Sequence, residues 1–246
     1  MEAFIQVMES MLALKDPYTV VHQRQVTRIA RTIGQNLGLS EDRLRDLCIA
    51  GALHDLGKMA IPSDLLAKSG KLTYLEFALL KTHPQVAYNL LKPLKLPGNS
   101  AEIILQHHER LDGSGYPQGL TKYEIFLEAR ILGVADVLEA MCSHRPYRAS
   151  LGLTITLEEL TRHKGILYDA AVVEIGLQLY AQDLSVNEAA TSALTPTAIA
   201  YPHDSTLPAR LGSAHPVCQP GGGYPWFGNW RPKDVPVSSR RLGRNY

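Results

Sequence analysis

Apolar residues recur at steps of three and four along most of the chain to about residue 183, with few alternating stretches of the kind that strands produce. This period predicts helices near residues 2–14, 18–37, 41–56, 73–92, 99–109, 122–143 and 169–182. Local stop and start signals support the boundaries. Ser40 precedes "EDRLRDL", Thr73 precedes "YLEF" with Glu76 three positions on, and Gly38 follows Leu37 where a helix should end. The expected fold is therefore an all-α helical bundle.

The informative positions are those where a polar residue interrupts an apolar stripe. In "EDRLRDLCIAGALHDLGK" the inward line of Leu44, Leu47, Cys48 and Gly51 runs on to His54 and Asp55. Burying a carboxylate costs several kcal/mol unless it is paired or metal-bound. His22 continues the line of Val26, Ile29, Ile33 and Leu37, Asp136 stands four residues after Leu132, and His83 sits at a helix junction before Pro84. Ile103 and Ile104 each precede a histidine by four residues, so His107 and His108 extend a stripe two residues wide, diverging by about 100 degrees. Each residue alone has an ordinary explanation, such as a hydrogen-bonded core histidine, a cap, or an Asp paired with Arg. Together they place five imidazoles and two carboxylates on inward faces of separate helices, which is how helix bundles build metal centres. Seven ligands exceed what one ion needs and point to at least two, with a bridging carboxylate.

Composition narrows the class. With 25 Lys plus Arg against 24 Asp plus Glu there is no broad cationic field for a nucleic-acid polymer or a membrane surface. The 3 cysteines, Cys48, Cys142 and Cys218, are odd in number and far apart, which suits a reducing, cytoplasmic compartment and offers no CxxC metal pair. The opening "MEAFIQVMESMLALK" lacks a basic start and an unbroken apolar core, so it reads as mature protein, and no apolar run is long enough for a membrane span. After about residue 185 the pattern changes: eight of the 15 prolines lie between Pro196 and Pro236, and "PGGGYPWFGNWRPKD" has no period. Two regions are expected, a helical domain over 1–185 and a Pro/Gly-rich, irregular tail over 186–246.

"HD" at His54 and Asp55 inside "LHDLGK", with "GYP" at Gly115, Tyr116 and Pro117, resembles the HD-GYP domain family. The resemblance extends in order through "DPYTVVHQRQV", "IPSDLLAKSGKLTYLEF", "KTHPQVAYNLL", "HHERLDGSGYPQGL", "ARILGVADVLEAM" and "RPYRAS", roughly residues 10–180. It implies an HD-superfamily helical fold and a phosphodiesterase that hydrolyses cyclic di-GMP, either to pGpG or on to GMP, with two or three metal ions, often iron or manganese. Carried over by position, His22, His54, Asp55 and Asp136 would hold one ion and His83, His107 and His108 the second, with Asp55 shared. Tyr18 stands where trinuclear members carry Glu, so two ions are expected. Asp55 and Lys58 would be catalytic; Lys58, Arg145, Arg148, Gly115, Tyr116 and Pro117 would meet the substrate, and the GYP loop is linked in the family to GGDEF-domain partners. Glu139 replaces a usual Asp, His144 the Asp before "RPYR", and Phe126 and Ala170 usual prolines, none of them a predicted ligand. The competing readings are a catalytically weak module that senses cyclic di-GMP or docks a GGDEF protein, and another HD-type nucleotide phosphohydrolase.

Overall fold

The computed structural model describes residues 1–68, 70–143 and 152–179. The predicted tail, Arg145, Arg148 and His144 lie outside the described residues, as does the end of the helix expected over 169–182. Among the described residues there are helices and two isolated bridges but no strand, so the all-α expectation holds.

The chain opens with α1 (Glu2–Lys15) and α2 (Pro17–Asn36), separated by Asp16, whose side chain accepts from the backbone N–H of Tyr18 at 3.1 Å and caps α2. Gly38, at φ 73°, turns the chain after α2 in the left-handed conformation that favours glycine. Next come α3 (Glu41–Leu53), a 3-10 turn over Leu56–Ala60, the one-turn α4 (Ser63–Leu66), α5 (Tyr74–Leu80) and α6 (His83–Leu91). After a second 3-10 turn, Lys92–Leu94, follow α7 (Ser100–Gln106), α8 (Leu127–Cys142) and α9 (Leu153–His163), with residues 170–179 helical again. The capping box read from Thr73 and Glu76 is formed in full at the start of α5.

α8 is the axis of the core. Its residues from Ile131 to Met141 are buried on every side, as befits a helix that is apolar nearly all round. α2 packs on α3 and α8, α3 also meets α7, and α6 meets both α7 and the first 3-10 turn. Val172 and Val173 bring the last described helix into the same core.

Four boundaries differ from the periodicity, and each for a physical reason. The helix expected over 41–56 ends at Leu53 and tightens into the 3-10 turn, where Gly57 lies so close to α6 that a Cβ there would stand 1.9 Å from the His83 carbonyl oxygen. The helix expected over 73–92 is two helices, because Pro84 has no N–H to give the Leu80 carbonyl. The helix expected over 99–109 ends at Gln106, with His107 and His108 in the turn beyond. The helix expected over 122–143 starts at Leu127, since the Glu124 carboxylate takes both the backbone N–H and the hydroxyl of Thr121 and closes a turn first. α9 was not predicted at all; its opening "LTIT" is β-branched and carries a weak helical signal.

The contact at Gly57 makes a direct prediction. Gly57→Ala should destabilise by about 3 kcal/mol or more through overpacking, whereas Gly70→Ala, with nothing within 4 Å of the added carbon, should change stability by about 0.5 kcal/mol or less. Urea midpoints of the two variants check it; equal midpoints would contradict the packing described here.

Candidate metal centre

Three of the predicted histidines share one local arrangement. His54 and His107 directly follow α3 and α7, and His83, the first residue of α6, stands three residues past the end of α5. The last carbonyls of a helix have no N–H partner within it. Each imidazole donates its Nδ1–H to such a carbonyl three residues back: His54 to Gly51 at 2.9 Å, His83 to Leu80 at 2.8 Å and His107 to Ile104 at 2.6 Å. A carbonyl can only accept, so the proton is fixed on Nδ1 and the Nε2 lone pair is left free. All three Nε2 atoms are buried without a hydrogen-bond partner. Orphaned acceptors of this kind are costly unless something fills them.

What they face is a common centre. Potential ligand atoms lie within 4.8 Å of one another in three sets: His22, His54 and Asp136; His83, His107 and His108; and His54, Asp55 and His107, which overlaps both. Asp55 stands between the first two sets. Its Oδ2 lies 3.8 Å from His22 Nε2 and 3.6 Å from His54 Nε2, while its Oδ1 lies 3.5 Å from His83 Nε2. Thus all seven sequence-predicted ligands come together. The donor set is imidazole and carboxylate without thiolate, which fits iron, manganese, zinc or nickel.

The electrostatics match a cation site. Burial opposes the charge of Asp55, but the Lys58 ammonium beside it holds its carboxyl well below the usual range. Asp136 is likewise depressed despite burial, through His22 above all. Burial lowers His54, His107 and His108 and brings His83 down to about 4, so these rings are neutral at neutral pH and ready to ligate. His22 differs: burial acts against its charge, yet the Asp136 and Glu139 carboxylates raise it.

Glu139 was read in the sequence only as a departure from the family pattern. In the structure its carboxylate accepts from His22 Nδ1, an outer partner that orients the ring so that Nε2 faces Asp136 at 3.1 Å. Glu109, also passed over, is the loop's anchor: its two oxygens accept from the backbone N–H groups of Gln118 at 2.7 Å and Leu120 at 3.0 Å. The signal for both was a buried carboxylate on a helix end or apolar face, the same signal used for Asp55 and Asp136.

The remaining predicted residues within the described part of the chain surround this cluster. Lys58 Nζ donates to Asp55 Oδ2 at 2.6 Å. Tyr116 stacks on His108 with ring centroids 4.8 Å apart. Gly115 backs onto Glu109, where a Cβ would come within 2.4 Å of the Glu109 Cα, so only glycine fits; Pro117, half-buried, follows in the same loop.

The HD domain family profile matches residues 6–172. The chain is 41% identical over 170 residues to the cyclic di-GMP phosphodiesterase response regulator RpfG of Xanthomonas campestris pv. campestris, covering 68% of this chain and 45% of that one. It is 37% identical over 177 residues to a cyclic di-GMP phosphodiesterase of Thermotoga maritima, covering 71% and 48%. The chain thus spans about half the length of these curated relatives. Among solved structures, an HD-GYP protein of Bdellovibrio bacteriovorus superposes with a TM-score of 0.57 at 19% identity over 66% of this chain and 52% of that one, a likeness of fold.

Acid should unfold the metal-free protein from this site outward. An unfolded histidine takes up its proton near pH 6.5, whereas the buried rings do so only further down, at about 4 for His83. Between those values the unfolded state binds more protons, so stability falls as pH falls. His83 alone should cost about 3 kcal/mol once pH is below 4, with His54, His107 and His108 acting in the same direction and His22 opposing them. Urea midpoints of chelator-treated protein should drop steadily from pH 7 to 4.5; a flat or rising profile would contradict the neutral-imidazole assignment.

Proposed function

The chain belongs to the HD domain family, and within it to the HD-GYP type; on that premise we propose that it is a metal-dependent phosphodiesterase that hydrolyses cyclic di-GMP to pGpG, with GMP as the product of a second cleavage. The observation that carries this reading is the convergence of five histidines and two aspartates, three of the histidines with a buried and unpartnered Nε2. The names of the relatives supply the substrate class.

Two divalent cations, iron or manganese, are part of the proposal. His22, His54 and Asp136 would hold one, His83, His107 and His108 the other, and Asp55, with an oxygen toward each set, would be shared. Such cations, when bound, supply Lewis acidity to the phosphodiester and lower the pKa of the attacking water to near neutrality.

The chain's own residues do the rest. Asp55 stays ionised beside the Lys58 ammonium and Asp136 beside His22. Glu139 keeps a proton on His22 Nδ1 and thereby orients the ring. Lys58 places a partly exposed ammonium beside Asp55, suited to donate to a non-bridging phosphate oxygen. Arg145 and Arg148, outside the described residues, would bind phosphate through bidentate guanidinium contacts. Gly115, Tyr116 and Pro117 would form the substrate-facing wall. Water adds across one P–O3′ bond, leaving a 5′-phosphate and a 3′-hydroxyl, and the 3′-oxygen leaves with a proton.

A cytoplasmic setting belongs to the same reading, as free Cys48 and Cys142 suit a reducing compartment. GGDEF-domain proteins are proposed partners of the GYP loop. No helix among the described residues is long and apolar enough to cross a membrane.

Purified protein loaded anaerobically with iron or manganese should convert cyclic di-GMP to pGpG in a chromatographic assay. His54→Ala and Asp55→Ala should each lower turnover by roughly a hundredfold or more while leaving the helical circular dichroism largely intact. Absence of turnover under every metal tested would overturn the enzymatic reading.

A further inference from the structure

Asp136 and Glu139, neighbours on one face of α8, take opposite sides of a single ring on α2: Asp136 faces His22 Nε2 at 3.1 Å and Glu139 Oε2 accepts from His22 Nδ1. Glu139 is held in turn. Its other oxygen, Oε1, accepts from the Ser143 hydroxyl at 2.7 Å. The Ser143 backbone N–H also donates to the Glu139 carbonyl at 2.9 Å and closes the end of α8, so two bonds join the same pair of residues. Glu139 is buried and Ser143 half-buried. A line of polar contacts therefore runs from the end of α8 through Glu139 to His22 and the cluster it forms with His54 and Asp136.

His22 needs such support more than its neighbours do. His54, His83 and His107 direct their Nδ1–H groups at main-chain carbonyls, which the helices themselves hold in place. Of these four rings, only that of His22 is directed by a side chain among the described residues. A glutamate stem rotates, and its terminal torsion, χ3, is broad and roughly two-fold, so the rotamer alone leaves the plane of the carboxylate loosely set. A hydrogen bond at each oxygen sets that plane. The family resemblance does not supply this contact, because Glu139 stands where the pattern has Asp, and its extra methylene adds one more torsion for an outer partner to fix.

We propose that Ser143 is a positioning residue of the metal centre: its hydroxyl fixes the Glu139 carboxylate, which keeps the His22 ring turned with Nε2 toward the cation position of His54 and Asp136. The inference rests on the two-cation reading above and assigns the orientation of one ligand in it to a residue that touches neither ion. Outer partners of ligating histidines matter at this level, since removing one typically lowers metal affinity ten- to a hundredfold. Ser143 stands one bond further out, at the lower end of that range. Its effect is confined to one of the two positions, because His83, His107 and His108 have no part in this line of contacts.

The test is an anaerobic calorimetric titration of manganese into the full, chelator-stripped chain. In Ser143→Ala one of the two binding steps should weaken roughly tenfold while the other is unchanged. Ser143→Thr keeps the hydroxyl, and the extended backbone at this position suits a β-branched residue, so it should bind manganese as the unsubstituted chain does. Unchanged affinity in Ser143→Ala, equal loss at both steps, or a loss in Ser143→Thr as large as in Ser143→Ala would overturn the assignment. Should the unsubstituted chain bind no manganese, the metal-centre reading falls, and proton NMR of the metal-free protein decides the role of Ser143 separately. The hydrogen-bonded Nδ1–H of His22 should give a low-field resonance that moves upfield or is lost to solvent exchange in Ser143→Ala and returns in Ser143→Thr. The same resonance in all three proteins would contradict it.

Discussion

The hydrogen bond from an imidazole Nδ1–H to a carbonyl three residues back, made at the end of a helix, is what the rest of the site depends on. It appears at His54, His83 and His107, each time using a carbonyl that the helix cannot satisfy itself. One bond therefore does two things: it completes the helix end and fixes the tautomer that leaves Nε2 facing inward. His83 shows the coupling best. Pro84 withholds the N–H that a continuous helix would send to Leu80, the helix breaks, and the freed carbonyl takes the His83 ring.

Packing then decides where the three rings meet. Close approach at Gly57 brings the turn carrying Asp55 and Lys58 against the start of α6. The buried length of α8 carries Asp136 and Glu139 one turn apart to His22 on α2. With so many charged and polar groups interior to a helical bundle, each needs a counterpart: Asp55 has Lys58, Asp136 has His22, and His22 has Glu139. The three unpartnered Nε2 atoms are the exception in this arrangement, and a cation is the partner their lone pairs suit.

Much of this was legible in the sequence because polar residues at inward helical positions are rare enough to be noticed. The seven residues that converge were picked out that way or through the family resemblance, and the Thr73–Glu76 cap was read from spacing alone. Helix ends were less legible, since the breaks at His54, His83 and His107 arise from side chain to backbone bonds and a tertiary contact at Gly57, which periodicity does not see. α9 was missed because β-branched residues at its start weaken the local signal, while its buried Thr156 and Leu160 are held by packing on α8. Glu139 was noted only as a departure from the family pattern and Glu109 was passed over, since neither was a proposed ligand: one hydrogen-bonds His22 and the other anchors the loop.

We propose that the seven residues make two cation positions that share Asp55, and anomalous diffraction from crystals of manganese-loaded protein would locate them. Two peaks are expected, one among His22, His54 and Asp136 and one among His83, His107 and His108, with Asp55 between them. A single peak, or none within this group of residues, would contradict it.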